Sequence, residues 1–241
     1  MAKSDTPIRL YRIWRPALCV GLLTVLGILT WQRTWVYESH ETLWTDTLAK
    51  NPNTWVGQNN LGLALFQNGQ TEEGVKHIRL AIAINPKYVD AHNNLGLVLS
   101  QSGQLDDAIA QYRKAVEINP NFAAGHYNLG NAFFQNGEFD EAVSEYQRAI
   151  EIKPGYAEAH NNLGNALLQK GQLSEAIQQY QLALNIKPNY AEAHGNLGFI
   201  FFQNGQLDNA ITEFQEALRL NPDLSPVRES LAKAEEMERG K

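Results

Sequence analysis

The chain of 241 residues contains a single cysteine, Cys19, set in an apolar run. One thiol excludes a disulfide framework and a thiolate-ligated metal site. There is no glycine-rich loop of the kind that cradles phosphate. Serine and threonine are sparse, and none stands at a recognisable spacing from a histidine and an acid, so no nucleophile is suggested. Basic charge is scarce as well: 20 Lys and Arg against 26 Asp and Glu leave a net charge of −6. Residues 1–33 hold Lys3, Arg9, Arg12, Arg15 and Arg33 against Asp5 alone, so a balance of +4 there leaves −10 on residues 34–241. An acidic body argues against a nucleic-acid groove. A hydrophobic fraction of 44% with mean hydropathy −0.37 fits a folded chain. No enzyme activity, catalytic residue, metal or cofactor is expected from this inventory.

What the sequence has in abundance is repetition, and the repeat determines the expected fold. Pro52, Pro86, Pro120, Pro154, Pro188 and Pro222 are each 34 residues apart. The same step links Gly62, Gly96, Gly130, Gly164 and Gly198, and again Gly69, Gly103, Gly137, Gly171 and Gly205. Numbering each unit from 1 to 34 gives repeats at 55–88, 89–122, 123–156, 157–190 and 191–224. Apolar residues recur at helical spacing in two runs per unit, split by the glycine at position 15, which suits a left-handed turn. The second run ends before proline, where the preceding residue is pushed out of the helical region. Each unit therefore reads as a helical hairpin. Glycine at position 8 lets the second helix approach, and small, aromatic and small residues at positions 20, 24 and 27 complete the stripe, as in Ala142, Tyr146 and Ala149.

Period, Leu-Gly pair, packing stripe and terminal proline resemble the tetratricopeptide repeat (TPR) family over 170 residues. The resemblance implies an all-α chain, a right-handed superhelix of helical hairpins (an α-solenoid) whose first helices line the concave side. One hairpin cannot bury its apolar face alone, so stacking supplies the core. The first unit departs from the pattern, with Gly74 and Ile78 in place of Ala and an aromatic, which predicts looser packing there. Residues 225–241 read as a charged capping helix with Ser225 as its cap and Pro226 at its first position. Residues 34–54 read as a linker and an N-terminal capping half-repeat, with Trp44 at the aromatic position and Thr47 at the small one.

Residues 16–32, PALCVGLLTVLGILTWQ, carry no charge and lie at the lower length limit for a membrane-spanning helix. Trp14 and Trp31 flank the stretch, with arginines beyond. The expectation is a single-pass anchor over 16–33 behind a basic cytoplasmic head, 1–15, with the repeats in a periplasm, a lumen or the exterior. A cleaved signal peptide and a buried or interfacial helix are the alternatives. The stretch 31–62, with its aromatic link and Leu-Trp-Thr-Asp helix, resembles the junction of polytopic membrane glycosyltransferases with their C-terminal TPRs. That resemblance implies a second role, a non-catalytic accessory or remnant module of such a system.

Two polar series repeat within the first helices. His92, His126, His160 and His194 occupy position 4, one per hairpin, which spaces them apart and suits packing between hairpins better than one metal centre. Asn60, Asn94, Asn128, Asn162 and Asn196 occupy position 6, although asparagine is a poor helix former. Position 13 is glutamine throughout, including Gln101, Gln135 and Gln169, and position 9 is asparagine in Asn131 and Asn165. All fall on the expected concave face. A carboxamide offers an acceptor and two donors, so it can pair with both groups of a peptide backbone. This ladder, with the run AHNNLGNAL at 159–167, resembles the TPR superhelix of O-GlcNAc transferase, which implies peptide-backbone binding by these asparagines. The alternative is that position 6 hydrogen-bonds the neighbouring hairpin and stiffens the stack; the two can coexist. Phe66, Phe134, Leu168 and Phe202 at position 12 add apolar contact, and Asp90, Glu158 and Glu192 at position 2 add an acidic edge. Positions 2, 5, 6, 9, 12 and 13 hold no Lys or Arg. The expected partners are therefore other proteins, bound through extended neutral or basic segments, with the membrane contacted through 16–33 and no nucleic acid.

Overall fold

The computed structural model describes residues 39–240. Among the described residues every regular element is an α-helix, twelve in all, so the all-α expectation holds. They are α1 (His40–Lys50), α2 (Trp55–Gln67), α3 (Thr71–Ile84), α4 (Val89–Gln101), α5 (Leu105–Ile118), α6 (Ala123–Gln135), α7 (Phe139–Ile152), α8 (Ala157–Gln169), α9 (Leu173–Ile186), α10 (Ala191–Gln203), α11 (Leu207–Leu220) and α12 (Ser225–Arg239). The described residues divide into two compact units, the first ending at Pro86 and the second beginning at Lys87.

The turn within each hairpin follows directly from its glycine. Gly69, Gly103, Gly137, Gly171 and Gly205 have φ between 72° and 81°. That left-handed residue closes a Schellman motif, seen in Gln104 N–H donating to Leu99 C=O at 2.9 Å and Gly103 N–H donating to Ser100 C=O at 3.1 Å. The second helices begin with acids that complement the helix dipole, such as Asp106 and Asp107 or Asp140 and Glu141.

In the unit from residue 87 onward, the core is the packing stripe. Ala108, Ala115, Ala142, Ala149, Ala176 and Ala183 are fully buried, as are Tyr180 and Phe214. The aromatic ring at position 24 lies on the backbone of the first helix. A Cβ on Gly130 would meet Tyr146 Cδ1 at 2.8 Å, and one on Gly198 would meet Phe214 Cδ1 at 2.6 Å. The position-8 glycine is thus the seat of the ring. At the C-terminal end α12 buries Val227 against Ala210, Phe214 and Ala217, with Leu224 and Leu231 alongside. Ser225 lies inside that helix rather than capping it. The cap is Leu224, without a side-chain bond, because its apolar side chain is held in the cluster.

The first unit corrects the expectation of loose packing. Isoleucine replaces the ring at position 24 and sits against Gly62, and glycine at position 20 lets the backbones of α2 and α3 meet beside it. A Cβ on Gly74 would sit 2.7 Å from the Gly62 carbonyl oxygen, and Ile78 is fully buried. Helix α1 starts with a capping box between Ser39 and Thr42 and touches α2 through Leu48 near Gly57, yet buries no residue of its own.

The membrane placement is also corrected. Among the described residues no helix is long and apolar enough to cross a bilayer. The longest, α12, has 15 residues and a charged face, short of the roughly 20 apolar residues that a span needs. The expected anchor at 16–33 lies outside the described residues, and the single-pass localisation built on it is withdrawn.

Candidate functional site

The polar positions of the first helices meet where α6, α8 and α10 face one another. Asn162 Nδ2 donates to Asn131 Oδ1 of the preceding repeat at 2.9 Å and to Tyr127 Oη at 3.2 Å. Its own Oδ1 accepts from Asn161 Nδ2 at 3.1 Å. Asn196 Nδ2 repeats the arrangement, donating to Asn161 Oδ1 at 3.0 Å and Asn165 Oδ1 at 3.1 Å. Asn128 Nδ2 donates to Asn93 Oδ1 at 2.9 Å. The position-6 nitrogens of the third, fourth and fifth repeats therefore link each to position 5, position 9 or both in the one before. In the first unit, Asn60 Oδ1 accepts from Asn59 Nδ2 at 3.0 Å. Asn94 is half-buried in α4.

Position 9 is held from the other side by the second helix. Tyr146 Oη donates to Asn131 Oδ1 at 2.8 Å, and Tyr180 Oη donates to Asn165 Oδ1 at 2.7 Å. Burial pushes both phenols well above the ordinary tyrosine pKa, so they stay protonated donors. Each of these oxygens accepts two donors. Turning either amide over would set its N–H against the position-6 N–H and leave the buried tyrosine hydroxyl without this acceptor. Sequence reasoning missed these tyrosines, although a signal was present: asparagine takes position 9 only where position 24 is tyrosine. Where position 24 is Phe214, position 9 is Phe199, and the two rings pack edge to face at 5.1 Å.

A cavity of about 340 Å³ opens between α6 and α8, lined by Asn131, Phe134, Gln135, Tyr146, Asn162 and Asn165. Five of its six residues came from the sequence reading of positions 6, 9, 12 and 13, and Tyr146 completes it. Phe134 is half-buried and packs edge to face on Phe139 at 5.4 Å. Gln101, Gln135 and Gln169 are exposed at the C-terminal ends of their helices, and Gln135 Oε1 accepts from Ser100 Oγ at 3.3 Å. No charged side chain lines the cavity.

The histidines at position 4 each clip a hairpin shut. His126 Nδ1 is 2.6 Å from Glu145 Oε2 and its Nε2 is 3.1 Å from the Pro120 carbonyl. His160 pairs in the same way with Gln179 and Pro154, and His194 with Glu213 and Pro188. The first repeat exchanges the partners, with Gln58 at position 4 and His77 opposite at 2.6 Å. Among the described residues no group of three His, Cys, Asp or Glu is placed to hold a metal ion.

Stacked hairpins with seated rings and a carboxamide-lined face between first helices define a helical-repeat protein. TPR repeat models match residues 62–103, 99–137, 130–171 and 164–205, and the tetratricopeptide repeat model matches 191–224. The chain belongs to the tetratricopeptide repeat family. Among solved structures it is similar to MamA, at 27% identity over 67% of this chain and 95% of that one, with a TM-score of 0.62. YrrB, described as a TPR protein with an unusual peptide-binding site, shares 20% identity over 78% of this chain and 96% of its own, with a TM-score of 0.62. PilF of Pseudomonas aeruginosa shares 22% over 75% and 88%, with a TM-score of 0.64. The comparison with curated proteins gives no match. These matches support the repeat family and lend no support to the finer resemblances, to O-GlcNAc transferase and to membrane glycosyltransferases.

Proposed function

We propose that this chain is a non-catalytic scaffold that binds extended segments of partner proteins across the first-helix face of its repeats. The observation that carries the reading is the cavity between α6 and α8, an apolar floor with a rim of carboxamides and no charged wall. Such a lining suits an uncharged polypeptide, whose backbone needs both donors and acceptors and whose side chains need apolar contact. The peptide-binding site described for YrrB supports the use of this fold for that purpose. Asn94, Asn128, Asn162 and Asn196 share the first-helix face of the unit from residue 87 onward, and Asn60 holds the equivalent position in α2. The bonds of Asn128, Asn162 and Asn196 support a part in the stack alongside any contact with the partner.

Gln101, Gln135 and Gln169 test the reading because they are exposed and their loss leaves the core intact. Random 12-residue peptides displayed on phage are selected on the full chain, and the enriched peptides are then titrated by fluorescence anisotropy. Changing the three glutamines together to lysine is expected to weaken those peptides at least tenfold with the melting temperature unchanged. Undiminished binding by the folded triple variant would move the site elsewhere on the surface.

A further inference from the structure

The carboxamides around the cavity are not equivalent, and the difference specifies what the cavity accepts. Both Nδ2 hydrogens of Asn162 are engaged, on Tyr127 Oη and Asn131 Oδ1, and its oxygen accepts from Asn161. Asn131 and Asn165 are the reverse. Their oxygens are each saturated by a tyrosine hydroxyl and a position-6 asparagine, while their Nδ2 groups have no acceptor among the described residues. Neither nitrogen is sealed off from solvent, since the one buried side-chain polar atom left without a partner among the described residues is Gln172 Oε1. With two hydrogens on each nitrogen, the rim presents up to four donors beside the Phe134 ring. Position 9 is Leu63, Leu97 and Phe199 in the other repeats, so consecutive donors of this kind occur only at the junction of α6 and α8.

We propose that this cavity is the anchor point of the groove: it takes one uncharged, apolar or aromatic residue of an extended partner segment, whose flanking main-chain carbonyls accept hydrogen bonds from Asn131 Nδ2 and Asn165 Nδ2. The inference rests on the groove reading above and sharpens it. A carboxylate would also accept, yet no cation lines the cavity to offset its desolvation, and Glu158 stands on the same helix as Asn162 and Asn165. A lysine or arginine brings donors to a rim already rich in donors. A carbonyl beside an apolar side chain satisfies both the rim and the floor. The tyrosine hydroxyls are what aim the rim: they hold the asparagine oxygens inward, so the nitrogens are left for the partner.

Asparagine-to-aspartate exchange at these two sites isolates the claim. Asn131→Asp with Asn165→Asp keeps an oxygen for each tyrosine and position-6 asparagine and replaces the free donors by acceptors. Peptides enriched on the wild-type chain are titrated against the double variant in about 1 M salt, where the Debye length is only about 3 Å and added charge is screened. The expected result is at least a tenfold loss with the helical circular dichroism and melting curve retained. In parallel, each peptide bond of the best ligand is replaced in turn by an (E)-alkene isostere, which lacks both the carbonyl and the N–H, and by an ester, which lacks only the N–H, so that a loss seen with the alkene and not with the ester belongs to the carbonyl; both are measured on the unaltered protein. One or two positions are expected to cost tenfold or more there, which keeps the test decisive should the double variant unfold. Full affinity of the folded double variant, a loss that vanishes in high salt, or an alkene scan with no sensitive position would each overturn the proposal. Failure to enrich any peptide on the wild-type chain would overturn the groove reading beneath it.

Discussion

Replacing Gly74 with alanine is expected to destabilise the first hairpin by about 1–3 kcal/mol, although the other four repeats carry alanine at this position. Two effects oppose each other. Alanine in a helix interior gains roughly 0.5–1 kcal/mol over glycine by limiting the unfolded chain. Against that, the new methyl would sit 2.7 Å from the Gly62 carbonyl oxygen and 3.2 Å from the Phe66 nitrogen. Both are backbone atoms, so neither can swing aside, and relief requires α2 and α3 to separate and loosen Ile78. The steric cost wins. Urea unfolding should show a lower midpoint, and hydrogen exchange should speed up within residues 55–84 while residues 87–224 keep their protection. A raised midpoint would mean that the glycine pair is incidental to the packing.

The second large effect is expected at Asn162. Asn162→Ala removes the donor to Asn131 Oδ1 and Tyr127 Oη and the acceptor of Asn161 Nδ2, which sits on a buried residue. Leaving buried polar groups unpaired costs about 1–3 kcal/mol. The helix-propensity gain of alanine over asparagine, at most about 0.7 kcal/mol, offsets part of it. Thermal and urea denaturation of Asn162→Ala, Asn131→Ala and the double variant form a cycle, and the coupling between the sites should fall at roughly 0.5–3 kcal/mol. Strictly additive losses would show that the bond across the repeats contributes nothing.

The hairpins were legible because their causes are local and periodic. A glycine with positive φ, a proline that stops a helix and apolar residues at helical spacing all act within a few residues, and they recur every 34. The site was legible only in outline. Asparagine and glutamine series on one face were visible, but which of their hydrogens remain available depends on bonds between residues 31 and 35 apart, such as Asn162 with Asn131 and Asn196 with Asn161. Those bonds exist only once hairpins stack. The same holds for Gly74, whose value depends on the absence of a ring at Ile78, and for Ser225, displaced from its capping role because Leu224 is drawn into the core.

Photo-crosslinking at single positions tests the central claim most directly. A benzophenone amino acid is placed at Gln135, on the cavity rim, or at Lys114, exposed on a second helix, in cells that make the full chain. The groove reading predicts discrete covalent adducts from position 135 on irradiation, absent from position 114 and suppressed by Asn131→Asp with Asn165→Asp. Adducts of the same identity and yield from position 114, or none from 135, would contradict it.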